Sequence, residues 1–486
     1  MPASFAPSSD DLLRFSPELI LSAAGTLLMV LDPFFAKRMP KLFGHLSIVA
    51  FVLAIFGAFA ANSVAGPAFS NLLIVDGFAT FFRVLVLIIG ILAVLLSYRY
   101  LDREQAETSE YHALLLFSVV GQCLMVASND LIMIFIGLEI SSIASYILAG
   151  YLRNDRRNNE AALKYFLLGS FATGFFLYGI AITYGITGST KLSEIVVALN
   201  QPDVSHALIG FAAALMLVGL GFKISGAPFQ VWAPDVYQGA PAPVSAFMAT
   251  APKAAAFAIL IRIFMTSFQQ SADLWEPFIW ISALLSMTIG NFGALTQRNL
   301  KRMLAYSSIA HAGYLLVAIA ARSEFGTAAA MFYLAAYALM NLGAFAVVIH
   351  ISGQGERNLQ IDDLAGLGQK QPVTAALLTV FLLSLIGVPL TGGFFGKFYI
   401  FHAALKSHLV WLAVLGLLNS AVAAYYYLRL LVVMYMHEPG EATTSLEPLT
   451  PGLGAALVLP AIGTFLLGVI PGAVLTFAQN SAALVK

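Results

Sequence analysis

Long apolar stretches follow one another along almost the whole chain, separated by short polar connections. About fourteen of them are long enough to cross a bilayer, because a helix of roughly twenty apolar residues spans the hydrocarbon core. Only 10% of the residues are charged and 59% are hydrophobic, which excludes an ordinary soluble domain. In lipid every backbone polar group needs a partner, and helices supply these partners internally. The sequence therefore predicts an all-α, polytopic membrane protein.

Several function classes are excluded by what the sequence lacks. The formal net charge is zero and no basic run is present, so no nucleic-acid partner is expected. Cys123 is the single cysteine, which rules out an intrachain disulfide and a cysteine-ligated iron–sulfur cluster. No phosphate-binding or dinucleotide-binding glycine motif occurs. The polar, acidic residues 1–18 do not resemble a cleaved signal peptide. We expect no cofactor and no metal in this chain.

Two lysines flank an interruption of the apolar pattern near the middle of the chain. Lys223 lies in an apolar span that is broken at Gly226 and Pro228, and Lys253 begins the next span directly after Pro252. A charged side chain at mid-membrane depth costs at least ~2.5–3.5 kcal/mol. Proline adds a cost because it lacks the backbone N–H that a helix needs. Lysines beside a broken helix are therefore candidate functional residues.

A second broken helix is predicted near residues 372–403. This stretch is longer than the roughly twenty residues of a straight crossing, and it contains Pro389, Gly392 and Gly393 with Lys397 just beyond them. The pattern repeats the first break, with a lysine next to proline and glycine. One alternative remains open for all these lysines, namely a structural role in which the ammonium satisfies carbonyl groups freed by the prolines.

Three further polar residues lie in apolar surroundings. Glu139 is the only acidic residue that the sequence places well inside a span, and a buried carboxylate needs a cation or a proton. His311 lies within a span, and an ordinary pKa near 6.5 suits imidazole for proton transfer. Lys164 lies near the start of its span. The alternatives are a structural counter-ion for Glu139, a core histidine for His311 and a lysine that reaches the interface for Lys164.

Other charged residues are expected near the membrane surface. Arg83, Arg262 and Arg429 fall nearer the ends of their spans, where long side chains reach the interface. Asp76, at the start of a span, and Asp235, in a turn, are also interpreted as interfacial.

A weak internal repeat divides the chain. Residues 1–110 hold about three spans, 111–267 form a first five-helix repeat, 275–436 form a second, and 437–486 contain a C-terminal helix. Each repeat has a broken helix with a lysine as its fourth member. Because each unit has an odd number of spans, the two copies are expected in opposite orientations, an arrangement in which helix breaks build sites at mid-membrane depth.

The distribution of basic residues predicts the orientation. Most of them lie in odd-numbered connections, whereas even-numbered connections carry only Lys191, Arg322 and Lys406. Basic loops stay on the cytoplasmic side. We therefore expect a multi-pass protein of the bacterial inner membrane with both termini on the periplasmic side.

Three motifs resemble the antiporter-like membrane subunits of respiratory complex I. These motifs are GFKISGAPFQVWAPDVYQGAPAPVSAF, YSSIAHAGYL and GGFFGKFYIF, and the resemblance extends over roughly the whole chain. It implies that Glu139 pairs with Lys223, that Lys253 is a central proton relay and that Lys397 belongs to a second half-channel. Lys164 and His311 match polar positions of the central axis of that family.

Three features distinguish this chain from other members of that family. Lys397 stands where the paralogue called subunit M has glutamate, and the long lateral helix of subunit L is not expected. Gln230 stands where many relatives have histidine. Since an amide does not titrate, we expect no proton-transfer role at that position.

The resemblance implies a proton-translocating subunit of a redox-driven enzyme. FMN, iron–sulfur clusters, NADH and quinone would be bound by other subunits, and subunit M and small subunits such as K would be neighbours within the lipid bilayer. Two alternatives remain open. One is a subunit of a multi-subunit sodium/proton antiporter, and the other is a structural scaffold whose buried charges are inert.

Overall fold

A computed structural model of the chain describes residues 7–35, 39, 41–201 and 204–482. Thirteen helical segments in this part are long and apolar enough to cross a membrane. A further crossing is made by two shorter helices, Pro372–Ile386 and Gly392–Lys406. The prediction of an all-α membrane protein with about fourteen crossings is confirmed. Residues 1–6 and 483–486, at the two termini, lie outside the described residues. The predicted periplasmic location of both termini therefore concerns residues that the structure does not describe.

The N-terminal unit contains three long helices and a small hairpin. Its helices are α1 (Ser16–Phe35), α2 (Leu42–Ser63) and α3 (Gly77–Arg103). The antiparallel strands β1 (Gly66–Ala68) and β2 (Leu73–Val75) connect α2 to α3.

The two repeats follow in chain order. The helices of the first are α4 (Ser109–Ala127), α5 (Leu131–Ala149), α6 (Arg156–Thr187), α7 (His206–Ile224), α8 (Trp232–Gly239), α9 (Ala242–Met248) and α10 (Ala251–Arg262). Those of the second are α11 (Ala272–Leu295), α12 (Leu300–Ala320), α13 (Glu324–Ile351), α14 (Pro372–Ile386), α15 (Gly392–Lys406) and α16 (Val410–Met436). The C-terminal part is divided into α17 (Pro451–Val469) and α18 (Gly472–Ala482), where the sequence predicted one helix.

Both repeats contain the same local arrangement, in which the residue that caps a helix also forms an isolated antiparallel bridge. Asp130 caps the start of α5 and forms an isolated antiparallel bridge with Lys191, while Asn299 caps the start of α12 and forms the same bridge with Gln360. Five membrane crossings separate Asp130 from Asn299. An odd number of crossings places the two bridges at opposite ends of the bundle, as expected for inverted repeats.

Three interruptions break the membrane helices. The first follows α7, where Ser225 has a left-handed conformation (φ 57°) and Gly226 and Pro228 lie in the irregular segment beyond it. The second separates α9 from α10 at residues 249–250, and Pro252 occupies the first turn of α10. The third separates α14 from α15 at residues 387–391. At each interruption some backbone groups lose their helical hydrogen-bond partners. A lysine lies shortly before or after each interruption.

The third interruption depends on glycine at one position. A Cβ atom at Gly393 would lie 1.8 Å from the carbonyl oxygen of Ser384, which no side chain tolerates. The Gly393 N–H instead donates to Ser384 Oγ at 3.1 Å. This contact brings the start of α15 against the end of α14, with Pro389 and Gly392 in and just after the turn between them.

The predicted interfacial positions of two arginines are wrong. Arg83 is fully buried and pairs with Glu18 at 2.7 Å, and Arg262 pairs with Asp76 through two bonds of 3.0 and 3.1 Å. In both cases a carboxylate at the start of another helix supplies a partner inside the bundle, so the arginine does not reach for water. Glu18 and Asp76 are thus buried although they lie at helix starts, whereas Glu139, within α5, is half-buried.

Candidate functional site

Lys223 lies in the last turn of α7, immediately before the first interruption. Its side chain is buried, and its ammonium lies 5.1, 5.4 and 5.7 Å from the ring centres of Tyr146, Tyr165 and Phe222. Aromatic faces stabilise a cation that has lost its water. The one hydrogen bond of Lys223 is donated to the Tyr146 hydroxyl at 3.3 Å. Lys223 is therefore held in an aromatic cage with a single polar contact.

Glu139 does not form the direct pair with Lys223 that the resemblance implied. Lys223 donates to Tyr146, and one carboxylate oxygen of Glu139 has no hydrogen-bond partner in the protein. Glu139 is half-buried on α5 between the exposed Ile136 and Ile143. Among the described residues, Lys223 therefore has the Tyr146 hydroxyl as its polar contact, and Glu139 lies outside hydrogen-bonding and ion-pair distance.

Lys253 lies in the first turn of α10, directly after the second interruption. It is 1% exposed, and its ammonium donates to the Ser308 carbonyl at 3.0 Å and to the Ser308 hydroxyl. Tyr337 presents its ring at 6.0 Å. The carbonyl of Met248, which Pro252 leaves free, accepts a hydrogen bond from Tyr237 at 3.4 Å. In the part of the chain that the structure describes, no carboxylate contacts Lys253.

His311 lies one turn beyond Ser308 on α12 and is fully enclosed by hydroxyl groups. Its Nδ1 is 2.5 Å from the Tyr333 hydroxyl, and its Nε2 is 3.3 Å from the Tyr427 hydroxyl. Tyr427 in turn contacts the Ser307 hydroxyl. Every polar partner of this imidazole is a group that can both donate and accept a proton.

Lys397 lies in the second turn of α15, beyond the third interruption. Its ammonium donates to the Leu385 and Ile386 carbonyls at 3.0 and 2.9 Å and to Ser420 Oγ at 2.8 Å. The two carbonyls belong to the last turn of α14, where helical partners are missing. Tyr314 on α12 presents its ring 4.8 Å from the ammonium.

These contacts follow one face of α12. Ser308, His311 and Tyr314 are spaced three residues apart, which places them on neighbouring turns of one side. Ser308 contacts Lys253, and Tyr314 contacts Lys397. We refer to these five residues as the polar chain. Its members are groups of the kind that pass protons along hydrogen bonds, and α12 fixes their order.

Lys164 lies outside this chain. Its side chain is 41% exposed and pairs with Glu160 at 2.7 Å and with Asp235 at 2.8 Å. Asp235 also binds Arg302 at 2.6 Å, and the group borders a cavity of about 230 Å³. Burial alone would raise the pKa of Asp235, but the hydrogen bonds from Lys164 and Arg302 lower it. The structure places Lys164 in a surface ion cluster and not on the buried axis.

Sequence interpretation missed the tyrosines. Tyr333, Tyr337 and Asn341 are spaced four residues apart on α13 and are all buried. Tyr427 on α16, which the sequence did not single out, contacts His311. The spacing of the three α13 residues at i, i+4 and i+8, in a helix that is otherwise apolar, is a sequence pattern that could have identified them. The side-chain oxygen of Gln230 is buried and has no hydrogen-bond partner among the described residues.

The sequence model of the family "NADH:quinone oxidoreductase/Mrp antiporter, TM" matches residues 128–423. A curated relative, NADH-quinone oxidoreductase subunit N 1 of Solibacter usitatus, is 66% identical over 486 residues, covering all of both chains. The chain belongs to the subunit N family. As a member of the subunit N family, it is one subunit of a multi-subunit membrane enzyme.

Solved structures agree with this assignment to the subunit N family. A chain of respiratory complex I from Thermus thermophilus with bound aureothin superposes with a TM-score of 0.81 at 35% identity, covering 95% of this chain and 99% of that one. A chain of the Mrp complex from Dietzia has a TM-score of 0.85 at 20% identity, with 98% and 97% covered. The second likeness establishes a shared fold only.

Proposed function

We propose that the chain moves protons across the bacterial inner membrane as a subunit of NADH–quinone oxidoreductase. One observation carries this proposal. Lys253 and Lys397 are buried at helix breaks and contact no carboxylate among the described residues, and one face of α12 carries polar side chains between them: Ser308 contacts Lys253, the ring of Tyr314 faces Lys397, and His311 lies between Ser308 and Tyr314. A relay group has to gain and lose a proton, and a desolvated lysine does so whereas arginine does not. If the two lysines were only structural cations, they would not need proton-exchanging side chains between them.

The proposed path has two halves that meet at Lys253. In the first half, Glu139 favours the charged form of Lys223 by Coulomb attraction, and Tyr146 supplies the contact. Weakening that attraction would release a proton from Lys223 toward Lys253. In the second half, protons would pass along the polar chain to Lys397. We assign Lys164 a role at the surface, where its ion cluster borders an open cavity.

The energy for this transport has to come from elsewhere in the enzyme. Moving one charge against the membrane potential costs ~2.3 kcal/mol per 100 mV. The names of the curated relatives refer to NADH and quinone. We propose that FMN, iron–sulfur clusters, NADH and quinone are bound by other subunits and that this chain holds no redox site. Within the described residues, no group of three metal-ligating side chains occurs.

Partners and orientation are part of the same proposal. We propose contacts with subunit M and with small subunits such as K, as the resemblance implies. We also propose that the connections rich in basic residues face the cytoplasm and that both termini face the periplasm. The charge bias of the connections supports this orientation.

The proposal is tested with the assembled enzyme in sealed vesicles. NADH oxidation with quinone should acidify the vesicle lumen in sodium-free medium, and Lys253→Ala should abolish the share of acidification that this subunit contributes. Acidification that required sodium, with the same enzyme, would favour the sodium/proton antiporter. Full pumping by assembled Lys253→Ala enzyme would favour the scaffold and contradict the proposal.

A further inference from the structure

A buried ion pair lies away from the polar chain. The Lys301 ammonium and the Glu356 carboxylate are 2.7 Å apart, and their side chains are 0% and 8% exposed. Lys301 is in the first turn of α12, and Glu356 lies in the connection between α13 and α14. Removing two charges from water is costly. The proposed proton path does not use either residue, so the pair needs a separate explanation.

Both members of the pair hold the backbone just before and at the start of α9. Lys301 donates to the Ala240 carbonyl, and the second oxygen of Glu356 accepts from the Ala242 N–H at 2.7 Å. Charge-assisted hydrogen bonds of this kind are about twice as strong as neutral ones. The ion pair therefore fixes the backbone of residues 240–242 from both sides.

The same segment is held again at its other end by Lys253. Lys301 and Ser308 are seven residues apart on α12, two turns along one face. Ser308 accepts the hydrogen bonds of Lys253. Residues 240–253 are thus tied to α12 at two points, by an ion pair at one end and by the central lysine at the other.

The first half of the segment between these ties is closely packed. All seven residues of α9 are buried, six of them to 2% exposure or less, and close-packed interiors transmit a displacement instead of absorbing it. Ser245 satisfies its hydroxyl within the same region by donating to the Tyr237 carbonyl at 2.8 Å. A shift of residues 240–242 would therefore be passed along α9 to the interruption and to Lys253.

The connection that carries Glu356 is itself fixed by two other parts of the chain. The Gly355 N–H donates to Glu104 at 2.9 Å, and the Gly355 carbonyl accepts from Arg157 at 2.9 Å. Gly353 and Gly355 have φ values of 64° and 66°, a region that glycine adopts without strain. Glu104 belongs to the connection after α3, and Arg157 to α6. Glu356 thus lies where the N-terminal unit and both repeats meet.

We propose that Lys301 and Glu356 are positioning residues for Lys253. The ion pair sets the place of residues 240–253 on α12 and thereby the contact between Lys253 and Ser308. This inference rests on the proposed function, in which Lys253 is the central relay. Displacing a reacting group by about 1 Å can reduce a rate on the order of 10²-fold, so a small movement of α9 is sufficient.

The chain offers a matched control. Arg83 and Glu18 form a pair that is buried at least as deeply, but no hydrogen bond or salt bridge joins it to residues 240–253 within the described residues. A general loss of stability from an unpaired buried charge would affect both pairs alike. A positioning role would affect only the pair that holds α9.

The experiment measures proton pumping per assembled enzyme in vesicles. The single variants are Glu356→Ala, Glu356→Gln, Lys301→Met and the control Glu18→Gln, with Lys253→Ala as the reference for loss of the relay. We expect Glu356→Ala to reduce the share of pumping that is lost in Lys253→Ala about tenfold or more and Glu18→Gln to leave that share unchanged. The double variant Glu356→Gln, Lys301→Met removes both charges and keeps an acceptor for the Ala242 N–H. It should pump better than either of its single variants.

Each outcome separates the inference from the function on which it rests. Wild-type pumping by Lys253→Ala would contradict the proposed function. Loss with Lys253→Ala but wild-type pumping by Glu356→Ala would contradict the positioning role alone, as would an equal loss with Glu18→Gln. If Glu356→Ala fails to assemble, the double variant decides, since a double variant that pumps no better than the better of its two single variants would overturn the inference.

Discussion

The two broken helices hold their lysines in different ways. In the first repeat, Lys223 lies among aromatic rings and makes one hydrogen bond to Tyr146, with Glu139 outside ion-pair distance. In the second repeat, Lys397 makes three hydrogen bonds, two of them to carbonyls that the break leaves free. Similar breaks in the backbone thus leave one lysine among aromatic rings with a single hydrogen bond and the other with three hydrogen bonds to local dipoles. We infer that the first half responds to charge changes and that the second half has a fixed environment.

The largest expected effect contrasts the two breaks. Gly393→Ala places a Cβ 1.8 Å from the Ser384 carbonyl oxygen, whereas a Cβ at Gly226 meets its nearest neighbour, Ile224 Cδ1, at 3.3 Å. Overpacking of this kind costs roughly 1–3 kcal/mol or more. Gly393→Ala should therefore strongly reduce the amount of assembled enzyme, and Gly226→Ala should reduce it little. Quantifying this subunit in purified enzyme checks the contrast, and similar yields from both variants would contradict it.

A smaller effect is expected from the distant charge in the first repeat. Glu139→Gln keeps the shape of the side chain and removes the charge that would favour the protonated form of Lys223. The share of pumping that this subunit contributes per assembled enzyme should fall about tenfold, which corresponds to roughly 1.4 kcal/mol. Because Glu139 and Lys223 are not in contact, Glu139→Asp should retain most of the activity. A loss with Asp as large as that with Gln would indicate a direct pair, contrary to the structure.

The smallest effect compares single hydroxyl groups. Tyr146→Phe removes the only hydrogen bond of Lys223, while Ser420→Ala leaves Lys397 with two carbonyl partners. One hydrogen bond is worth about 1 kcal/mol, or roughly a fivefold change. We expect Tyr146→Phe to slow pumping by about that factor and Ser420→Ala to slow it less. Steady-state pumping rates of the two variants check this order. A larger loss with Ser420→Ala than with Tyr146→Phe would contradict the proposed difference between the two lysine environments.

Much of the fold follows from the sequence because the bilayer imposes helices of one length. The crossings, the repeat and the positions of Lys223, Lys253 and Lys397 beside helix breaks were all predicted from apolar periodicity and proline. The partners of these lysines were not. Tyr146 lies 77 positions before Lys223, so the pairing is tertiary and leaves no local pattern.

The buried arginines show the same limit. Glu18 and Arg83 are 65 positions apart, and each taken alone resembles a residue near a membrane surface. Only the tertiary arrangement of the N-terminal helices brings them together. Polar residues near span ends are thus ambiguous in sequence, because the interface and a buried partner satisfy them equally well.

The most direct test of the account is the behaviour of arginine at the two lysines of the polar chain. Arginine keeps a positive charge under essentially all conditions and cannot act as a relay. We predict that Lys253→Arg and Lys397→Arg impair proton pumping by assembled enzyme nearly as much as the corresponding alanine variants. Full pumping with arginine at both positions would show that only the charge matters there and would contradict the proposed relay.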